Sequence, residues 1–378
     1  MAFAQSSAFD AVIVGAGIVG TACAAELTRA GLTVGVVESD TVGSGATSAG
    51  MGHIVVLDDS AAQCELTRYS QKLWDALVCQ MPEAHEYSRC GTLWIAGDEA
   101  EMAEVERKHQ VLRSHDVQSV VLGRSALPEL EPNLRPGLAG ALLVPGDSIV
   151  YAPRSASILW EDAKRHGARM LRGVAAGLVQ AGIRLADGRI VQGQTIIVAN
   201  GFGAADLLPE LQLRAKKGHL AITDRYPGFV KHQLAEVGYG ASAHATSGDS
   251  VAFNVQPRGT GQLLVGSSRQ FDAREPAVDH RVLSMMLRRA ESFLPGLGAC
   301  TCLRVWTGLR AATADGLPFI GPHPTRPGVW VATGHEGLGV TTAPATAALL
   351  TAQLLGRPPE IPIAPYLPER CLKGVDDA

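Results

Sequence analysis

The sequence predicts an α/β fold, α+β overall, in which a parallel-sheet domain is interleaved with a domain built on an antiparallel sheet. A strand, a glycine turn, a helix and a second strand open the chain within about thirty residues, the length of a βαβ unit. An apolar run typical of a buried parallel sheet stands at Thr195–Gly201, and a further short strand is read at Val329–Thr333. Between them, Lys216 to Gly266 is mostly strand segments: "HLAIT", "SVAFNVQP" and "QLLVGSS". With no internal repeat and no low-complexity linker, the first domain takes residues 1–80, 140–215 and 300–378. The second takes 81–139 and 216–299.

In chain order, Asp10–Val14 reads as a strand, Ile18–Ala30 as a helix and Leu32–Glu38 as a second strand. A glycine- and serine-rich loop, Gly43–Gly52, follows. Helical patterns cover Ala61–Gln80 and Glu99–His115, with the strand Thr92–Ala96 between them. "LAGALLVPGD" is a strand and turn, Arg154–Gly167 an amphipathic helix, and "GIRLADGRIV" a hairpin turning at Asp187–Gly188, a common turn pair. A helix is expected over Val278–Phe293 and a last one from Thr342 to Leu355. Pro344 would then fall in its first turn, where a missing N–H costs nothing.

The composition, 46% hydrophobic and 19% charged over 378 residues, is that of a globular protein with a large interior. A net charge of −4 without a lysine or arginine block excludes a nucleic-acid face. Of the seven cysteines only Cys300 and Cys302 are close, and their spacing fits neither a zinc knuckle nor an iron–sulfur loop, so no metal site is expected. An odd, scattered set reads as reduced thiols in a cytoplasmic protein. "MAFAQSSAFD" lacks the basic and apolar regions of a signal peptide. The uncharged stretch Gly337–Gly356 holds Pro344 and several glycines, threonines and alanines. It reads as a buried helix entered through a glycine loop rather than as a membrane span.

The first motif with chemical content is "VIVGAGIVG". Gly15 permits a tight turn, Gly17 lets a pyrophosphate approach the backbone, and Gly20 lets helix pack on strand, with Ile18 and Val19 opening the helix toward the phosphates. Glu38 ends the second strand, where a carboxylate accepts hydrogen bonds from ribose hydroxyls, with Ser39 beside it. This is a Rossmann-type dinucleotide site, and these residues alone do not separate FAD from NAD. The next loop, "GSGATSAGMGH", offers Ser44, Thr47, Ser48, Gly50, Met51 and Gly52 for a second pass along a pyrophosphate and flavin, and ends on His53.

Near the C-terminus "WTGLRAATADGLPFIGP" is followed by "VWVATGHEGLGVTTAPATAALL". With these segments the chain resembles the D-amino-acid oxidase superfamily of FAD-dependent amine oxidoreductases, along nearly its whole length. Glycine oxidase and the flavin subunits of bacterial D-hydroxyproline and opine dehydrogenases look nearest. The resemblance implies a glycine oxidase-like fold with noncovalent FAD in the first domain and substrate in the second. It implies that Arg310 of "GLR" pairs with a substrate carboxylate, beside Gly308, as a guanidinium forks onto a carboxylate. Gly337, Leu338, Gly339, Val340 and Thr341 would bring N–H groups and a helix N-terminus to the flavin. His335, Glu336 and His53 are candidates for substrate binding or proton transfer. Ala199, Asn200 and Gly201 of "VANGFGA" would close over the pyrophosphate, and Val174 would meet the adenine. Lys217 and His219 are read as structural.

The stretch "TGLRAA" has no cysteine where monomeric sarcosine oxidase carries its covalent flavin. "GDSIVYAPRS" lacks the histidine that anchors FMN covalently in the heterotetrameric enzyme, so an FMN at a subunit interface would be noncovalent. The implied reaction is hydride transfer from a Cα–H beside an amine to the flavin, giving an imine. "AGMGHIVVLDDS", "RCGTLWIA" and "GHEGLGVTTAP" look most like the β subunit of D-hydroxyproline dehydrogenase, which implies cis-4-hydroxy-D-proline as substrate, an α subunit and a small ferredoxin-like partner. An iron–sulfur cluster could lie only in that partner. Peripheral membrane association through an electron acceptor, opines, glycine, sarcosine or other D-amino acids as substrates, an oxygen-using oxidase, and a flavin-binding subunit without turnover stay open.

Overall fold

The computed structural model describes residues 9–238 and 248–371. The N-terminal "MAFAQSSA", read above for a signal peptide, lies outside them, as do residues 239–247 and 372–378, which fall within the expected domain ranges.

Two eight-stranded sheets organise the chain. The first runs β17 (Phe319–Pro322), β18 (Val329–Thr333), β11 (Ile190–Val198), β1 (Phe9–Val14), β2 (Val34–Glu38) and β8 (Arg169–Arg172), with β9 (Ala175–Val179) and β10 (Gly182–Leu185) extending from β11. Strand β1 pairs in parallel with β2 and β11, with Val12 opposite Gly35 and Ile196. Ala11, Val12 and Ile13 are fully buried, because each face of the sheet carries its own apolar layer.

The longer helices are α1 (Ile18–Arg29), α2 (Ala61–Val78), α3 (Glu99–Ser114), α4 (Ala152–Arg165), α5 (His280–Phe293) and α6 (Gly339–Leu354). Ala11 and Ile13 point into a core shared with α1, α2, α4 and α6. Val12 and Val14 point the other way, against β10 and the segment around Leu208–Leu213.

The second sheet runs β16 (Cys302–Ala312), β12 (Arg214–Arg225), β15 (Gln262–Phe271), β14 (Ser250–Pro257), β13 (Gln233–Glu236), β4 (Thr92–Ala96), β6 (Gly140–Val144) and β5 (Val120–Gly123). Helix α5 covers part of it, with Phe253 stacked on Phe293 at 4.4 Å between ring centres. Helix α3 packs against Trp94 and Leu142. A two-stranded ribbon of β3 (His53–Ile54) and β7 (Ser148–Ile149) is separate from both sheets.

The structure departs from the sequence expectations at definite places. The second arm of the hairpin and the apolar run Thr195–Gly201 form one strand, β11. The strands Arg169–Arg172 and Ala175–Val179 carry no sequence signal strong enough to be read. The Gly43–Gly52 loop contains a helical turn, Ala46–Ala49. Gly140–Val144 and Cys302–Ala312, placed by sequence with the nucleotide-binding segments, pair in the second sheet. An apolar strand does not announce its neighbours, and β16 is held there by registered pairing with β12 from Arg214↔Ala312 to Thr223↔Cys302.

The last helix begins at Gly339, a turn earlier than expected, which puts Pro344 inside it. Interior proline cannot donate to the carbonyl four residues back. Here that carbonyl belongs to Val340, and the Trp74 indole N–H donates to it at 3.0 Å and to Thr341 O at 3.1 Å. Ser70 of the same helix α2 accepts the Ala345 N–H at 3.2 Å. Helix α2 thus supplies the hydrogen bonds that Pro344 disrupts.

Candidate functional site

The glycine turn after β1 is tight because backbone meets backbone. Gly15 adopts φ +103°, and its N–H donates to Val37 O at 2.8 Å. A Cβ on Gly15 would lie 2.8 Å from Ala199 O and Asn200 Cα, and one on Gly20 would lie 2.0 Å from Gly15 O. Neither site tolerates a side chain. Side chains then tie the motifs together. Glu38 Oε2 accepts the Ala16 N–H at 2.6 Å, joining β2 to the turn. Thr47 Oγ1 accepts the Ile18 N–H at 3.0 Å, so the second motif caps the N-terminus of α1.

A cleft of 520 Å³ opens at this turn. Gly15, Gly17, Ile18, Val19 and Glu38 line one end. Ser44, Thr47, Gly50, Met51, Gly52 and His53 continue it, with Ala199, Asn200 and Gly201 alongside. Gly308, Arg310, His335, Glu336, Gly337, Gly339 and Val340 line the rest. Residues from the start, middle and end of the chain therefore meet in one cavity. The cleft fits a dinucleotide in its chemistry. It has the glycine cradle, a helix N-terminus and the Glu38 carboxylate. The buried Asn200 Oδ1 has no partner among the described residues.

Five expected cofactor residues do not line the cleft. Ser39 faces Glu38 from its exposed side, Ser48 donates to Gly45 O, and Leu338 sits just before α6. Thr341 turns inward and donates to His53 O at 2.9 Å, pinning β3 to α6. Val174 is 56% exposed. It follows Gly173, whose N–H donates to Glu38 O, at a point where the chain turns out toward solvent.

At the other end Arg310 comes from β16, and its Nη1 donates to Ser268 O at 3.1 Å. Glu336 adopts a left-handed φ of 50°, and its carboxylate meets Lys216 Nζ at 2.5 Å. Lys216 stands directly opposite Arg310 on the neighbouring strand. The His335 ring is buried, with Nε2 3.0 Å from Thr346 Oγ1, and burial lowers its pKa to about 3. Burial likewise lowers His53 to about 4, opposed by a hydrogen bond with Gln256. Both imidazoles are neutral at pH 7. Lys217 donates to Ala277 O. His219 bonds Ser268 Oγ and, through Nε2, accepts the Asp279 N–H, in keeping with structural roles.

Sequence reading missed the wall that the second sheet contributes: Gly218, Leu220, Asn254, Ser267 and, from the loop after it, Pro276. One signal was present. In "FNVQP" Phe253 and Val255 enter the core while Asn254 and Gln256 alternate with them, and Gln256 donates to Met51 O at 2.6 Å. Among the described residues no cluster of three or more His, Cys, Asp or Glu could hold a metal ion. No helix among them is long and apolar enough to cross a membrane.

Comparison with known proteins agrees with this geometry. Residues 10–353 match the family described as FAD dependent oxidoreductase (DAO). The glycine oxidase of Pseudomonas aeruginosa is 28% identical over 380 residues, covering 94% of this chain and 98% of its own. The crystal structure of glycine oxidase from Geobacillus kaustophilus superimposes with a TM-score of 0.84 at 26% identity, covering 95% of this chain and 98% of that one. L-proline dehydrogenase from P. horikoshii shares the fold, with a TM-score of 0.87 at 21% identity over 97% of this chain and 98% of that one. With a family match spanning both sheets and the whole cleft, the chain belongs to the FAD dependent oxidoreductase (DAO) family.

Proposed function

We propose that this protein oxidises the Cα–N bond of a small amino or imino acid to an imine. The observation that carries the proposal is Arg310, a guanidinium in the same cleft as the glycine turn and Glu38. FAD bound there supplies the hydride acceptor. The chain's own residues orient the substrate. Arg310 forks onto the carboxylate and fixes the Cα–H, and such alignment contributes up to ~7–11 kcal/mol in the best cases. Glu336 is committed to Lys216 and is not a free base. Burial keeps His53 uncharged and a weak base, so it lines the cleft as a neutral polar group rather than as a proton acceptor. His335 holds the loop to α6 through Thr346.

Within this class the motifs favour cis-4-hydroxy-D-proline, with this chain as the flavin β subunit of a heteromeric dehydrogenase. An α subunit, a ferredoxin-like partner carrying any iron–sulfur cluster, and an FMN at their interface belong to the same proposal. The glycine oxidase relatives, aligned over nearly their whole length, favour a second reading: glycine or sarcosine oxidised with oxygen as acceptor. Anaerobic mixing of the oxidised holoprotein with cis-4-hydroxy-D-proline, D-proline, glycine, sarcosine and an opine tests both. Bleaching of the flavin absorbance by one of them, lost in Arg310→Ala, is the expected result, and readmitted oxygen then separates oxidase from dehydrogenase. If none bleaches the flavin, alone or with the partner subunits added, the proposal fails.

A further inference from the structure

We propose that Gly218 is a positioning residue for carboxylate recognition: its missing side chain is the space into which the Arg310 guanidinium reaches. The inference rests on the reading that Arg310 takes the substrate carboxylate. Strands β12 and β16 pair with Lys216 opposite Arg310 and Gly218 opposite Gly308, so Arg310 must lean along its neighbour to reach position 218. A Cβ built on Gly218 would lie 2.5 Å from both Nη1 and Nη2 and 2.7 Å from Cζ, and these are its three nearest atoms. The fork therefore occupies the place of the absent methyl.

One corner of the guanidinium is held from the other side. Nη1 donates to Ser268 O at 3.1 Å, and Ser268 Oγ takes the His219 N–H at 2.8 Å and faces His219 Nδ1 at 2.9 Å. The His219 ring is anchored in turn by the Asp279 N–H at 2.9 Å. Between this support and the bare backbone at 218 the fork has a defined place in the cleft, which Gly218 and Arg310 both line.

The consequence differs from that at the dinucleotide glycines. The atoms a Cβ would meet at 218 are the tip of a flexible side chain, not backbone. Alanine there moves the guanidinium rather than the strand. The fold and the flavin site survive while the fork is displaced by about an ångström, a misplacement that can cost about 100-fold in reaction rate.

The test uses flavin-loaded wild type, Gly218→Ala, Arg310→Ala and the double variant. Acetate is titrated as a bare carboxylate, followed by perturbation of the flavin spectrum and by calorimetry. The expected result is about tenfold weaker acetate binding in Gly218→Ala, with flavin content unchanged. In the Arg310→Ala background the same change should alter binding by no more than about twofold, because the two residues act as one unit. If Gly218→Ala fails to fold but the double variant folds, the collision with Arg310 is also established. Wild-type affinity in Gly218→Ala, an equal loss with and without the Arg310 side chain, misfolding in both backgrounds, or no acetate binding by the wild type each overturns the proposal. Acetate binding weakened but measurable in Arg310→Ala, with no amino acid able to bleach the flavin, would reject the oxidation reading and leave this inference to its own test.

Discussion

The two ends of the cleft are built on opposite rules. At the dinucleotide end, contacts run backbone to backbone: a Cβ on Gly20 would stand 2.0 Å from Gly15 O, and one on Gly15 2.8 Å from Ala199 O. At these two glycines nothing can move without moving backbone. At the Arg310 end the close neighbours are side chains. The guanidinium leans over Gly218, Glu336 is held by Lys216, and the sheet wall contributes Asn254. Rigid backbone suits a ligand part that never changes, and adjustable side chains suit the part that sets specificity. The difference teaches where substitution should abolish the holoprotein and where it should only retune it.

The largest effect is expected at Gly20. Gly20→Ala forces α1 away from the turn against an immovable carbonyl oxygen, so the variant should be recovered without bound flavin or not folded at all. Flavin released per mole of purified protein measures this, and full occupancy would break the comparison. Arg310→Ala should do the reverse, keeping stoichiometric flavin while reduction by the amino acid weakens. Removing one partner of a charge-paired contact costs about 2–5 kcal/mol, so the apparent affinity should fall by about 30-fold or more. Loss of flavin in this variant would mean that the two ends are not separable.

The same contrast explains what could be read in advance. The strand–turn–helix–strand unit was legible because its pattern is local: the apolar strands, the glycine spacing and Glu38 all fall between Phe9 and Glu38. Arg310 was legible only through the segment around it. Its bed at Gly218 was not, since no local pattern says which strand will lie beside which. Glu336 looked like a candidate base until the fold brought Lys216 to it from 120 residues away. The start of α6 was misplaced for the same reason. The rule that puts proline in a first turn assumes that no donor is available inside the helix, and Trp74 supplies one from 266 residues away.

That repair gives the next prediction in size. Trp74→Phe keeps a ring in the fully buried site but removes the N–H, leaving the carbonyls of Val340 and Thr341 without that donor. An unsatisfied buried carbonyl costs about 1–3 kcal/mol. The urea midpoint should fall accordingly, and flavin affinity should weaken with it because Val340 lines the cleft. A midpoint equal to wild type would show that α6 does not depend on α2 for this bond.

The smallest expected effect concerns His335, which joins the two ends by fastening the Arg310-side loop to α6. Its folded pKa is lowered to about 3 by burial, against 6.5 for the free side chain. Below pH 6.5 the unfolded chain binds a proton that the folded ring refuses. The penalty therefore grows as pH falls toward 3, at about 1.4 kcal/mol per pH unit, and is absent above pH 7. Asp147 acts in the opposite sense. Burial raises its carboxyl to about 7, so the folded protein keeps a proton that the unfolded chain loses above pH 4, and stability falls as pH rises from 4 to 7. Wild-type stability alone will blur the two, and the useful quantity is the difference between wild type and His335→Asn. Asparagine can still meet Thr346 but does not titrate. Urea midpoints at pH 7 and pH 5 should show the wild type losing about 2 kcal/mol relative to the variant over that interval. Parallel profiles would mean that the imidazole is reached by solvent and protonated in the folded state, and that the loop joining the two ends is looser than the Thr346 contact implies.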